Sequence, residues 1–108
     1  MRRLVVLTIA LLLPLALHAR GNADHGKNKA AQVCAACHGP DGNKPSAPDQ
    51  PILAGQHYDY LVRALTDYKI GRRNNPIMKG FAAQLSKQDI EDLAAWFASQ
   101  KSNLHDQR

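Results

Sequence analysis

The 108 residues contain only two cysteines, Cys34 and Cys37, three apart in "QVCAACHGPDG" (residues 32–42) and followed at once by His38. Four chemistries use such a spacing: a short disulfide, a metal clip, a redox dithiol, or covalent attachment of a haem through Cys-x-x-Cys-His. Residues three apart on a helix share a face, so both sulfurs can reach one edge of a flat macrocycle and bond its two vinyl groups. His38, next in the chain, is then placed to ligate the iron. Zinc is poorly served, because a structural site takes four N or S ligands. Beyond the leader, the chain adds only His25, His57 and His105 to the cluster. A thioredoxin-like dithiol expects a βαβ setting, and a disulfide across two residues is strained. The pattern favours one covalently attached haem c.

The start of the chain agrees with that chemistry. "MRRLVVLTIALLLPLALHARGNAD" has Arg2 and Arg3 ahead of an apolar run, Leu4 to Leu17, and then small residues. This is the layout of a cleavable secretory signal. The run falls short of the ~20 residues of a spanning helix, so no permanent membrane anchor is expected. Gly21 and Ala23 suit a cut after Ala23, giving a leader at 1–23 and a domain at 24–108; a cut after Ala19 is the alternative, with Leu17 in the less suitable position. The expected location is the periplasm, and covalent haem attachment in bacteria takes place outside the cytoplasm. The whole chain carries 14 basic and 9 acidic residues, but the leader holds Arg2, Arg3 and Arg20, so a chain from Asp24 has a net charge of only +2. Nucleic-acid binding thereby loses its main support.

A domain of about 85 residues buries only about 60–65% of its surface, and such domains usually draw on a cofactor as extra core. Three helical patterns surround the motif. "DHGKNKAAQVCAACH" has Asp24 as a possible N-cap and stops at Gly39-Pro40. "HYDYLVRALTDYKIG" aligns Tyr58, Leu61, Val62, Leu65 and Tyr68, with Gly71 suited to end it. "SKQDIEDLAAWFASQ" opens on Ser86 with Asp89 three residues later and carries Ile90, Leu93, Ala94 and Phe97 on one face. Strand signals are weak, so the fold is expected to be all-α. Two long connections separate the helices. Residues 39–56 hold four prolines and three glycines, and residues 72–85 hold Pro76, Met78 and Gly80. Ile52, Leu53, Ile77, Met78 and Phe81 within them argue for packing around something rather than disorder.

"CAACHG", "PILAGQ", "YL", "GRRNNPIM" and "LSKQDIEDLAAWFASQ", in this order, resemble the class I c-type cytochromes over nearly the whole chain after the leader. The short monohaem bacterial periplasmic members, single-domain relatives of dihaem ones, are most similar. The resemblance implies a small cytochrome c fold, three main helices and two long loops around one covalent haem. It implies a methionine as second axial ligand, from the loop before the last helix; Met78 is the one methionine there, and the only one apart from Met1. Its other ordinary use is core filler, and a bis-histidine iron using His57 is the rival. The resemblance also implies that the Pro51 carbonyl accepts the His38 Nδ1–H, and that Gly26 lets the first and last helices cross against Leu93 and Trp96. Ala30 stands where the family has an aromatic residue, so that contact should be smaller here. Gln56, Tyr60, Tyr68, Arg72 and Arg73 are candidates for contacts at the haem edge or its propionates.

The implied function is a periplasmic one-electron carrier, not an enzyme, with low-spin haem c between His38 and Met78. A soft thioether favours ferrous iron, and two protein ligands leave no open position for substrate. The alternatives are a haem enzyme or gas sensor with a displaceable sixth ligand, and the cytochrome subunit of a larger oxidoreductase. The expected partners are redox proteins, a respiratory membrane complex or a periplasmic oxidoreductase, docking transiently at the haem edge. Lys44, Arg72, Arg73 and Lys79 could steer an acidic one.

Overall fold

A computed structural model describes residues 20–104. The apolar run of the expected leader and His105 lie outside the described residues. The elements are α1 (Ala23–Val33), α2 (Ala35–His38), α3 (Tyr58–Ile70), α4 (Pro76–Ala82) and α5 (Lys87–Ser99), with no strand among the described residues. No helix among them is long and apolar enough to cross a membrane.

The caps explain the boundaries. α1 begins one residue before Asp24, because Asn22 rather than Asp24 is its N-cap, accepting the His25 N–H at 3.1 Å. The expected first helix is interrupted at Cys34, and α2 carries Cys37 and His38. Gly71 closes α3 at φ 80°, a left-handed position that glycine takes without strain. Ser86 and Asp89 form a complete capping box on α5.

The expected second loop is in fact partly helical. Asn75 accepts N–H bonds from Ile77 and Met78, and Pro76 at the first helical position starts α4. Proline is a breaker inside a helix but is preorganised for its first turn, which is how this short helix escapes a reading based on Pro and Gly content. The first connection, 39–56, has no helix, and backbone bonds hold it in place. Leu53 N–H donates to Gly42 O at 2.8 Å, Ser46 N–H to Cys37 O at 2.9 Å and Gly55 N–H to Phe97 O at 2.9 Å. Asn43, 8% exposed, ties this loop to the C-terminal segment through Lys101 O and the Asn103 N–H, each at 2.8 Å.

The core is the α1–α5 crossing with α3 laid against it. Gly26 is buried where a Cβ would stand 1.9 Å from the Asp92 carbonyl oxygen and 2.9 Å from Trp96 Cβ, so only glycine permits that approach. Ala30, Leu61, Leu85, Ile90, Leu93, Ala94 and Phe97 form the buried cluster. Ala30 is fully buried without an aromatic ring, and among the described residues Leu93 is the only large side chain wholly removed from solvent. Such a thin core is what a domain wrapped around a large cofactor would have.

Candidate functional site

His38 is the best-defined polar group of the interior. It is 7% exposed, and its Nδ1 lies 2.9 Å from the Pro51 carbonyl oxygen. A carbonyl can only accept, so Nδ1 carries the proton and Nε2 is left with its lone pair. Gly39, at φ 83°, turns the chain just after His38, and Lys44 N–H closes the turn by donating to the His38 carbonyl at 3.3 Å. The loop that bears Pro51 is thus brought back beside the motif.

Beside His38 is a cavity of about 500 Å³ whose wall includes Cys34, Cys37, His38 and Met78. Most of that wall is apolar, from α3 (Leu61, Ala64, Leu65), α4 (Ile77, Phe81) and α5 (Leu93, Phe97). Ile77 is 69% and Phe81 44% exposed, so one edge of the cavity opens to the surface. Cys34 and Cys37 are not joined to each other by a disulfide. Burial, and second the negative charge of Cys37, push the Cys34 thiol up to about 11. That direction is the reverse of the lowering that activates a thioredoxin-like dithiol. Among the described residues no cluster of His, Cys, Asp or Glu is arranged to hold a bare metal ion.

The structure brings together Pro51, Gln56 and Tyr60 at the same wall and leaves Arg72 out of it. Arg72 points along the surface to Asp67, 3.7 Å away. Its neighbour Arg73 lines the cavity instead, stacked over the Tyr68 ring at 4.8 Å and donating to the Tyr60 hydroxyl at 3.4 Å. Two adjacent arginines cannot be separated by sequence pattern; the turn after Gly71 decides which one faces inward. His57 is exposed at the start of α3 and is not part of the wall. Sequence reasoning missed Asp92, a carboxylate 5% exposed that accepts from Asn22 N–H at 2.7 Å and Gln88 Nε2 at 2.8 Å. Its position on α5 reads as ordinary helix surface.

The donor set fits a c-type haem. Two thiols, an imidazole with a free nitrogen and one thioether share an apolar-walled space with a polar margin of Gln56, Tyr60, Arg73 and Asn74. The Cytochrome c family profile matches residues 23–101. The chain is 50% identical over 102 residues to a cytochrome c4 of Pseudomonas aeruginosa, covering 91% of this chain and 50% of that one. It is 40% identical over 84 residues to cytochrome c-554(548) of Halomonas halodenitrificans, covering 75% of this chain and 99% of that one. The crystal structure of reduced recombinant cytochrome c4 from Pseudomonas stutzeri superposes with a TM-score of 0.71 at 45% identity, over 78% of this chain and 48% of that one. The chain spans about half the length of the cytochrome c4 relatives it matches. Covalently bound haem c is the cofactor of this family, and Cys34 and Cys37 have the required spacing. Profile, relatives and fold agree: the chain belongs to the cytochrome c family.

Proposed function

We propose that the protein is a one-electron carrier that works in the periplasm with a single haem c, thioether-linked through Cys34 and Cys37 and ligated by His38 and Met78. The observation that carries this reading is the convergence of those four side chains on one apolar cavity. Bound there, the haem supplies a reversible Fe(II)/Fe(III) couple.

The chain's own residues do the rest. The Pro51 carbonyl orients the His38 ring and, by accepting a hydrogen bond from Nδ1–H, raises the basicity of Nε2. Met78 offers a soft sulfur that favours the ferrous state. Leu61, Leu65, Leu93 and Phe97 give the cavity apolar walls, surroundings that limit reorganisation when charge changes. Ile77 and Phe81 form an exposed apolar edge on α4, and Lys44, Arg72, Arg73 and Lys79 are exposed cations on the same two connecting segments. A small contact of this kind suits transient docking. Relatives include a thiosulfate dehydrogenase electron acceptor of Stutzerimonas stutzeri, 43% identical over 70 residues, so an exported oxidoreductase is the class of donor we infer.

Potentiometric titration of the purified protein tests the function. A single Nernstian one-electron wave, with no binding of carbon monoxide by the reduced form, is the expected result. Ready binding of carbon monoxide would instead place the protein among haem enzymes or gas sensors.

A further inference from the structure

Arg20 to Ala23 belong to the leader if the export signal is cut after Ala23, yet the folded domain uses them. Asn22 caps α1: its Oδ1 accepts the His25 N–H at 3.1 Å, and its carbonyl accepts the Gly26 N–H at 3.0 Å. Its own N–H donates to Asp92 Oδ1 at 2.7 Å. Asp92 is buried; Gln88 Nε2 also donates to it at 2.8 Å, and the His25 ring nitrogen stands 3.9 Å away, beyond hydrogen-bond distance. A buried carboxylate deprived of a donor is costly. Gly21 lies so close to α5 that a Cβ would stand 2.2 Å from the Glu91 carbonyl carbon, and its N–H reaches the Tyr58 hydroxyl at 3.4 Å. The Arg20 guanidinium stacks over the Tyr58 ring at 5.2 Å.

We propose that the exported chain is hydrolysed at the Ala19–Arg20 bond, so that the mature protein begins Arg20-Gly21-Asn22 and keeps the segment that locks α1 to α5. Water adds across that peptide bond, leaving a carboxylate on Ala19 and an ammonium on Arg20. Ala19 supplies the small residue required just before the cut. Gly21 and Ala23 look like a recognition pair for a cut after Ala23, but the packing against Glu91 accounts for Gly21 independently. A cut after Ala23 removes the cap and the shortest hydrogen bond to Asp92. It also places a new ammonium on Asp24, inside the first turn of α1, where the helix dipole opposes it. A cut after Ala19 leaves the ammonium ahead of the helix. The inference rests on the export reading and is independent of what fills the cavity.

The test is intact mass and N-terminal sequencing of the protein expressed from the full chain with its own leader in a haem-loading bacterial host. The expected N-terminus is Arg20. A chain beginning at Asp24, lighter by the mass of Arg20 through Ala23, overturns the choice of bond; a chain retaining the entire leader overturns the export reading beneath it. A second measurement checks the reason given. In the full chain, Asn22→Ala should lower the folding equilibrium constant roughly fivefold by loss of the cap. An unchanged unfolding curve would show that the retained segment does not hold α1, and would remove the basis of the proposal.

Discussion

His38 Nδ1 stands 2.9 Å from the carbonyl oxygen of Pro51, and this contact fixes both the tautomer and the orientation of the proposed proximal ligand. The acceptor is a backbone atom, so its position depends on how stiffly the loop is held. Pro51→Gly keeps the carbonyl but frees φ. A longer bond leaves Nε2 less basic and favours ferric iron less. The reduction potential of this variant should rise by something on the order of tens of millivolts with the optical spectrum retained. Redox titration reads this directly, and an unaltered potential would remove Pro51 from the tuning of the site.

The two adjacent arginines should behave differently. Arg73 lies in the cavity wall beside Tyr60 and Tyr68, whereas Arg72 pairs with Asp67 at the surface. Removing a cation near the iron stabilises the more positive ferric state. Arg73→Gln is therefore expected to lower the reduction potential, and Arg72→Gln to leave it where it was, in parallel titrations at one ionic strength.

Gly26 makes a steric prediction. A Cβ there meets the Asp92 carbonyl oxygen at 1.9 Å, an atom of helix backbone that cannot turn aside. Gly26→Ala must push α1 from α5, and overpacking of this kind costs about 2–3 kcal/mol. Thermal unfolding followed by far-UV circular dichroism should show the midpoint falling by roughly 10 °C or more for a domain of this size.

Acid sensitivity should reside partly in the α5 cap. The hydrogen bond from the Ser86 N–H, above all, holds the Asp89 carboxyl below its ordinary value. A carboxylate with a depressed folded-state pKa stabilises the fold fully above the unfolded value near about 4, and that contribution fades as pH falls through the folded one. Asp89→Ala should cost about 1 kcal/mol at neutral pH. Denaturant midpoints measured along a pH series should show the gap between variant and parent narrowing below about pH 4.

Much of this was legible in the residues because local chemistry decided it. Gly71, Ser86 with Asp89, and the apolar stripes of α3 and α5 carry their own signals, and the structure places those elements as expected. The Cys34–Cys37–His38 spacing admitted four chemistries, and the export-type leader, the helical patterns and the scarcity of other ligands narrowed them to haem. What was not legible depended on tertiary placement. α4 begins at a proline and contains Gly80, so composition alone reads it as loop. Arg73 rather than Arg72 reaches the cavity because of where α3 ends. The burial of Asp92 follows from α1 crossing at Gly26 and from Asn22 arriving to donate, neither of which has a signature within α5.

The central claim is that His38 and Met78 ligate one haem iron, and proton NMR of the reduced protein tests it most directly. A methionine methyl bound to low-spin ferrous haem lies over the ring and is strongly shielded. The account predicts one three-proton resonance far upfield of the protein envelope, absent in Met78→Ala. A reduced spectrum without that resonance, or one in which it survives in Met78→Ala, would contradict the account.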